Sequence, residues 1–125
     1  MSFRVIVAGS RNFSDYQLLE QKLDLLFSQK YGPADLPEIV SGLAAGPDSL
    51  GVVYAQRHGL AWKPFPANWD KYGKGAGYRR NEEMAAYADA LVAFWDGKSK
   101  GTAHMIDCMR KRGLPVRVIR FAPAT

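Results

Sequence analysis

Five short apolar runs punctuate the chain, at residues 4–8, 38–41, 61–65, 90–95 and 116–121, and hydrophobic residues recur at helical spacing between them. This alternation predicts strands separated by helices, and so a mostly parallel five-stranded α/β sheet with helices on both faces. The first helix is expected over residues 14–28, where Leu18, Leu19, Leu23, Leu26 and Phe27 form one core-facing stripe. Ser14 and Gln17 have capping-box spacing, and Phe13 and Leu18 could form a hydrophobic staple at the helix entry. A second helix starts near Pro47, a residue suited to the first helical position, and ends before Gly59, with Leu50, Val53 and Tyr54 facing inward. A third covers residues 78–87. A fourth covers 102–112, with Gly113 as its stop and Pro115 blocking continuation.

One connection is long. The stretch "PANWDKYGKGAG", residues 66–77, combines glycines and a proline with Trp69, Lys71, Tyr72 and Lys74. Long connections in compact domains are often functional. Two readings stay open: a lid that stacks Trp69 and Tyr72 on a ring and offers Lys71 or Lys74 to phosphate, or a loop that these aromatics pin to the body.

The turns carry the candidate chemistry. In an open parallel sheet the loops that follow the strands converge on one edge, with the ligand crevice where strand order reverses. "VAGSRNFS" holds only one glycine, so the dinucleotide fingerprint is absent. Its logic survives, since small and polar residues separate a strand from a helix N-terminus, where free N–H groups and the dipole favour an anion. "SGLAAGPDSL" and "WDGKSKGTAH" repeat the arrangement. Any one of these turns can be a plain connection, but three on one edge point to a phosphate-bearing ligand.

Composition narrows the setting. The chain has 125 residues and is 47% hydrophobic, which fits one domain over residues 1–125 with a single core. Cys108 is the lone cysteine, which excludes an internal disulfide and fits a reducing, cytoplasmic location. The first apolar run is too short for a secretory signal, and no stretch is long enough to span a bilayer, so no membrane partner is expected. Lys and Arg number 17 against 12 acidic residues, a net charge of +5 that favours anionic partners. These cations are scattered, which is unlike the stripe of most DNA binders, and "RKR" at 110–112 reads as complementing a helix dipole. No His, Cys or carboxylate cluster has metal-ligand spacing, and no cofactor is expected.

The ordered set "VAGSR", "SGLAAGPD", "YRRNEEM", "ADALVAFWDG" and "KGT" resembles the SLOG superfamily, in particular its small YspA-type domain, over nearly the whole chain. The resemblance implies a Rossmann-like three-layer fold that binds nucleotides or nucleotide-derived ligands such as ADP-ribose. Relatives include the Lonely Guy phosphoribohydrolases, the DNA-processing protein DprA and sensor domains of bacterial immunity systems. It places the ligand against Gly9, Ser10 and Arg11, against Ser41, Gly42, Gly46 and Asp48, and against Gly101 and Thr102. Arg80 falls where the phosphoribohydrolases place the arginine of an Arg-Lys pair, with Asn81 in place of the lysine. A guanidinium offers phosphate two parallel hydrogen bonds. The alternative for Arg80 is a surface ion pair with Glu82 or Glu83. A homodimer is expected too, because the helices beside the crevice commonly pair in these relatives.

The chain departs from the hydrolases at their glycine-rich motif. "DGKSKGTAHM" is one residue longer between glycines, and Met105 stands where those enzymes carry a glutamate. A thioether neither transfers a proton nor stabilises an oxocarbenium-like centre. His104 lies about 100° round the helix from Met105 and does not restore the carboxylate. Asp48, Asp96 and Glu83 are the remaining acids, although Asp48 reads as a first-turn dipole partner and Asp96 as a turn residue. The main expectation is therefore a module that senses or sequesters a nucleotide. The alternatives are an N-glycosidic phosphoribohydrolase with a different acid, and a DprA-like binder of single-stranded DNA.

Overall fold

The computed structural model describes residues 3–30 and 36–122. In chain order the elements are β1 (Arg4–Gly9), α1 (Tyr16–Lys30), β2 (Glu38–Ser41), α2 (Pro47–Arg57), β3 (Trp62–Pro64), α3 (Trp69–Tyr72), a 3₁₀ turn (Gly73–Gly75), α4 (Ala76–Tyr87), β4 (Ala90–Trp95), α5 (Lys100–Lys111) and β5 (Val116–Arg120). The strands form one all-parallel sheet in the order β3-β2-β1-β4-β5. The chain winds outward from β1 to β3, crosses back to β4 and winds outward again. Strand order therefore reverses between β1 and β4, the position at which open α/β sheets bind ligands.

The period-2 alternation of strand side chains sorts the core into two layers. Val5 and Val7 of β1, with Val92 and Phe94 of β4, point to one face and bury Leu19, Leu23 and Phe27 of α1 and Tyr54 and Ala55 of α2. Ile6 and Ala8, with Leu91 and Ala93, point to the other face and bury Met84 and Ala85 of α4 and Met105, Ile106 and Met109 of α5. The α1 stripe read from the sequence is this buried row, with Leu18 and Leu26 half-buried at its margins. On α2, Tyr54 is buried and Leu50 and Val53 are half-buried. Gly51 faces β1, where an added Cβ would lie 2.9 Å from the Val7 Cβ.

Two local expectations change. Helix α1 starts at Tyr16 because Asp15, not Ser14, caps it: the Asp15 carboxylate accepts the Leu18 N–H at 3.1 Å. Phe13 packs its ring 4.8 Å from Phe94 and 4.9 Å from Phe121. The stretch 66–77 is not an open loop. Asn68 accepts the Lys71 N–H at 3.1 Å and starts α3, and α4 begins at Ala76 rather than at residue 78. Strand β3 is a short, exposed edge of three residues. Among the described residues no helix is long and apolar enough to cross a membrane.

The packing distinguishes neighbouring leucines on α1. Leu23 is fully buried while Leu25 is 53% exposed. Leu23→Ala is expected to cost about 3 kcal/mol in urea denaturation, and Leu25→Ala to stay within roughly 0.5 kcal/mol of the parent.

Candidate functional site

At the carboxyl end of β1, Gly9 stands opposite Phe94. A Cβ on Gly9 would lie 2.1 Å from the Phe94 carbonyl oxygen, so only glycine lets the strand end here. The next residue closes the seam. The Ser10 N–H donates to that carbonyl at 2.9 Å, and the Ser10 hydroxyl, 2% exposed, accepts the Asp96 N–H at 3.0 Å. Ser10 is thus a stitch between the first and fourth loops, and Arg11 is the residue that reaches outward, exposed at the crevice.

The loop after β2 rests on that turn. Gly46 has φ +85°, and a Cβ there would come within 2.8 Å of the Ser10 carbonyl oxygen. Ser41 is fully buried; its hydroxyl donates to the Asp48 carbonyl at 2.9 Å and accepts the Leu43 N–H at 3.1 Å. Leu43 is held at φ 64°, the one non-glycine in the left-handed region among the described residues, and 45% exposed. That conformation costs on the order of 1–2 kcal/mol.

Gly42 lies between opposite charges. A Cβ on it would meet an Arg80 Nη at 2.6 Å and an Asp48 Oδ at 2.7 Å. Arg80 donates through this Nη to the Gly42 carbonyl and through Nε to the Asn81 side-chain oxygen at 3.1 Å. Its guanidinium is therefore turned into the crevice, and no ion pair with Glu82 or Glu83 forms. Burial pushes the Arg80 pKa down; the charge of Asp48 opposes this and that of Arg11 adds to it. Asp48 is buried in the first turn of α2, where desolvation raises its pKa to about 6 against the pull of Arg80 and of the Gly42 and Ala44 N–H groups.

Helices α4 and α5 form the opposite wall. The Asn81 amide donates to the Gly101 carbonyl and contacts the His104 Nδ1, each at 3.2 Å, and the His104 ring lies 4.4 Å from that of Tyr78. The Asp96 carboxylate accepts the Lys98 and Ser99 N–H groups at 2.8 and 2.9 Å, which holds its pKa below the usual range and confirms it as a turn residue. Ser99 caps α5 and its hydroxyl lies 3.1 Å from that of Thr102.

These elements enclose a cavity of about 210 Å³. Of the residues expected at a site, Gly9, Arg11, Asp48, Arg80, Asn81, Gly101 and Thr102 line it, as do Trp69 and Lys74. Met105 closes its floor, 1% exposed. Ser10, Ser41 and Gly46 lie behind the lining, where they shape the loops. The stretch 66–77 divides: Tyr72 is pinned between Arg79 at 4.1 Å and Lys71 at 5.1 Å, while Trp69, 55% exposed, stands at the cavity mouth. Ser99 and Tyr78 line the cavity too, although neither stands out in the sequence as a site residue. Ser99 has a detectable signal, a serine just before a helix start; Tyr78 has none, because only the turn of α4 brings it here.

The model of the YspA, cpYpsA-related SLOG family matches residues 3–72. The gene 61 protein of Mycobacterium phage D29 is 36% identical over 120 residues, covering 90% of this chain and 93% of the phage protein. The X-ray structure of DNA processing protein A (DprA) from Streptococcus pneumoniae shares the fold, with a TM-score of 0.74 at 18% identity. That match covers 98% of this chain and 51% of the DprA chain, so this chain spans about half the length of the DprA structure. With the β1 turn and the β2 loop inside the matched region and the fold shared along its length, the chain belongs to the YspA, cpYpsA-related SLOG family.

Proposed function

We propose that the protein binds a nucleotide or an ADP-ribose-like derivative at the carboxyl edge of its sheet and acts as a sensor or sequestering module. The observation that carries this reading is the convergence of Arg11 and Arg80 on one cavity at the strand-order reversal, with neither in an ion pair among the described residues. Two guanidiniums that repel each other across a cavity are stabilised by an anion between them. At the N-terminus of α5 the Ser99 side chain takes the Thr102 N–H, and the Gly101 backbone in the lining adds a donor of the kind that holds phosphate.

Binding without turnover is the expected behaviour. Met105 contributes no carboxylate, Glu83 is exposed and outside the lining, and Asp96 is committed to its turn. Among the described residues Asp48 is the sole carboxylate in the cavity lining, and it is buried against the β2 loop beside Arg80. If the reading is wrong and the protein is a hydrolase, Asp48 is the acid to mutate first.

AMP or ADP-ribose is expected to raise the melting temperature, by an amount equivalent to about 2.7 kcal/mol at a hundredfold excess over Kd, and Arg80→Ala to remove most of that shift. No shift at millimolar ligand, or salt-sensitive binding of a single-stranded oligonucleotide that survives Arg80→Ala, overturns the reading. In a separate assay, purified protein incubated with AMP should release ribose 5-phosphate no faster than buffer does; turnover abolished by Asp48→Asn would show an enzyme.

Sulfate tests the electrostatics, since its charge is constant across the neutral range. As pH rises through about 6, Asp48 ionises and competes for the field of Arg80. Sulfate affinity is then expected to fall about tenfold between pH 5 and 7, and to fall less in Asp48→Asn. Comparing the parent with Asp48→Asn isolates the contribution of Asp48.

A further inference from the structure

A second hollow, of about 250 Å³, adjoins the first at the two arginines. It shares Arg11, Ala44, Trp69 and Arg80 with the first cavity, but its remaining wall is Gly42, Leu43, Pro66 and Ala67. The two spaces therefore differ in chemistry. Beyond the shared residues, the first presents the Asn81 amide, the Ser99 and Thr102 hydroxyls and the start of α5; the second adds the Gly42 backbone and the apolar side chains of Leu43, Pro66 and Ala67.

Leu43 marks the second hollow as more than a gap between loops. Its backbone is held in the left-handed region by the Ser41 hydroxyl, and its side chain is left 45% exposed instead of buried in either core layer. Trp69, 55% exposed, stands at the same rim. Both are apolar groups held in water beside a cationic wall. A ligand that satisfies all three features has a planar apolar ring on one side and a phosphate on the other.

We propose that the second hollow is the base subsite: the nucleobase lies against Leu43, Pro66 and Trp69, while its ribose phosphate crosses the Arg11 and Arg80 wall into the first cavity. This assignment rests on the reading of the first cavity as a phosphate site. It gives Trp69 a role at both ends of one ligand, as the surface against which base and sugar meet.

The test compares AMP and UMP with ribose 5-phosphate by calorimetry, on the parent chain and on Leu43→Gly. Glycine accepts φ 64° without strain, which offsets its larger loss of chain entropy, so this variant is expected to fold about as stably as the parent. A stacked base is expected to make at least one nucleotide bind about tenfold tighter than ribose 5-phosphate. Leu43→Gly should shrink that ratio several-fold and leave ribose 5-phosphate affinity unchanged. If neither nucleotide binds tighter than ribose 5-phosphate, or if the ratio survives Leu43→Gly, the base lies elsewhere and the subsite is overturned while the phosphate site stands. If none of the three binds, the phosphate site falls and the subsite with it.

Discussion

The carboxyl edge of the sheet depends on one close approach, that of the Gly9 backbone to the Phe94 carbonyl. Because no side chain intervenes, the Ser10 N–H reaches the same carbonyl and the Ser10 hydroxyl reaches the Asp96 N–H. Asp96 then fixes the turn that places Ser99 at the start of α5. In the other direction the Ser10 carbonyl leaves room only for a glycine at position 46, which delivers α2 to the crevice. The β1 turn, the loop into α2 and the start of α5 are thus registered to a single glycine.

The contribution of α4 is aimed by electrostatics. Arg80 belongs to α4, yet its orientation is set by the carbonyl of Gly42, in the loop after β2, and by the field of Asp48. Keeping Asp48 buried has a cost. A carboxyl whose folded pKa is near 6 rather than 3.8 holds its proton more tightly when folded. Stability from this group is therefore intact below about pH 4, declines as pH rises to 6 and is lower above, by about 3 kcal/mol. The pull of Arg80 and of the Gly42 and Ala44 N–H groups on the carboxylate offsets part of this cost.

The fold was largely legible because strand alternation and the leucine stripe of α1 are direct consequences of burial. β2 and β4 begin and end where their apolar runs do. Legibility failed where a short polar side chain decides a boundary: Asp15 outcompetes Ser14, and Asn68 turns a glycine-rich stretch into a helical turn. At the site, the glycine turns announced their positions but not which members face the ligand. Ser10 and Ser41 look like phosphate-loop residues in sequence, and the structure spends their hydroxyls on backbone groups. Leu43 carried no signal, since a left-handed leucine is indistinguishable from an ordinary one until the loop is built.

The two edges of the sheet end differently from its centre. β3 offers three exposed residues, one a lysine and one a proline with no N–H to donate, and β5 carries exposed Arg117 and Arg120. Neither rim is a good template for another strand, since a docking chain would meet a missing donor on one side and positive charge on the other. Both rims therefore disfavour growth of the sheet by strand addition.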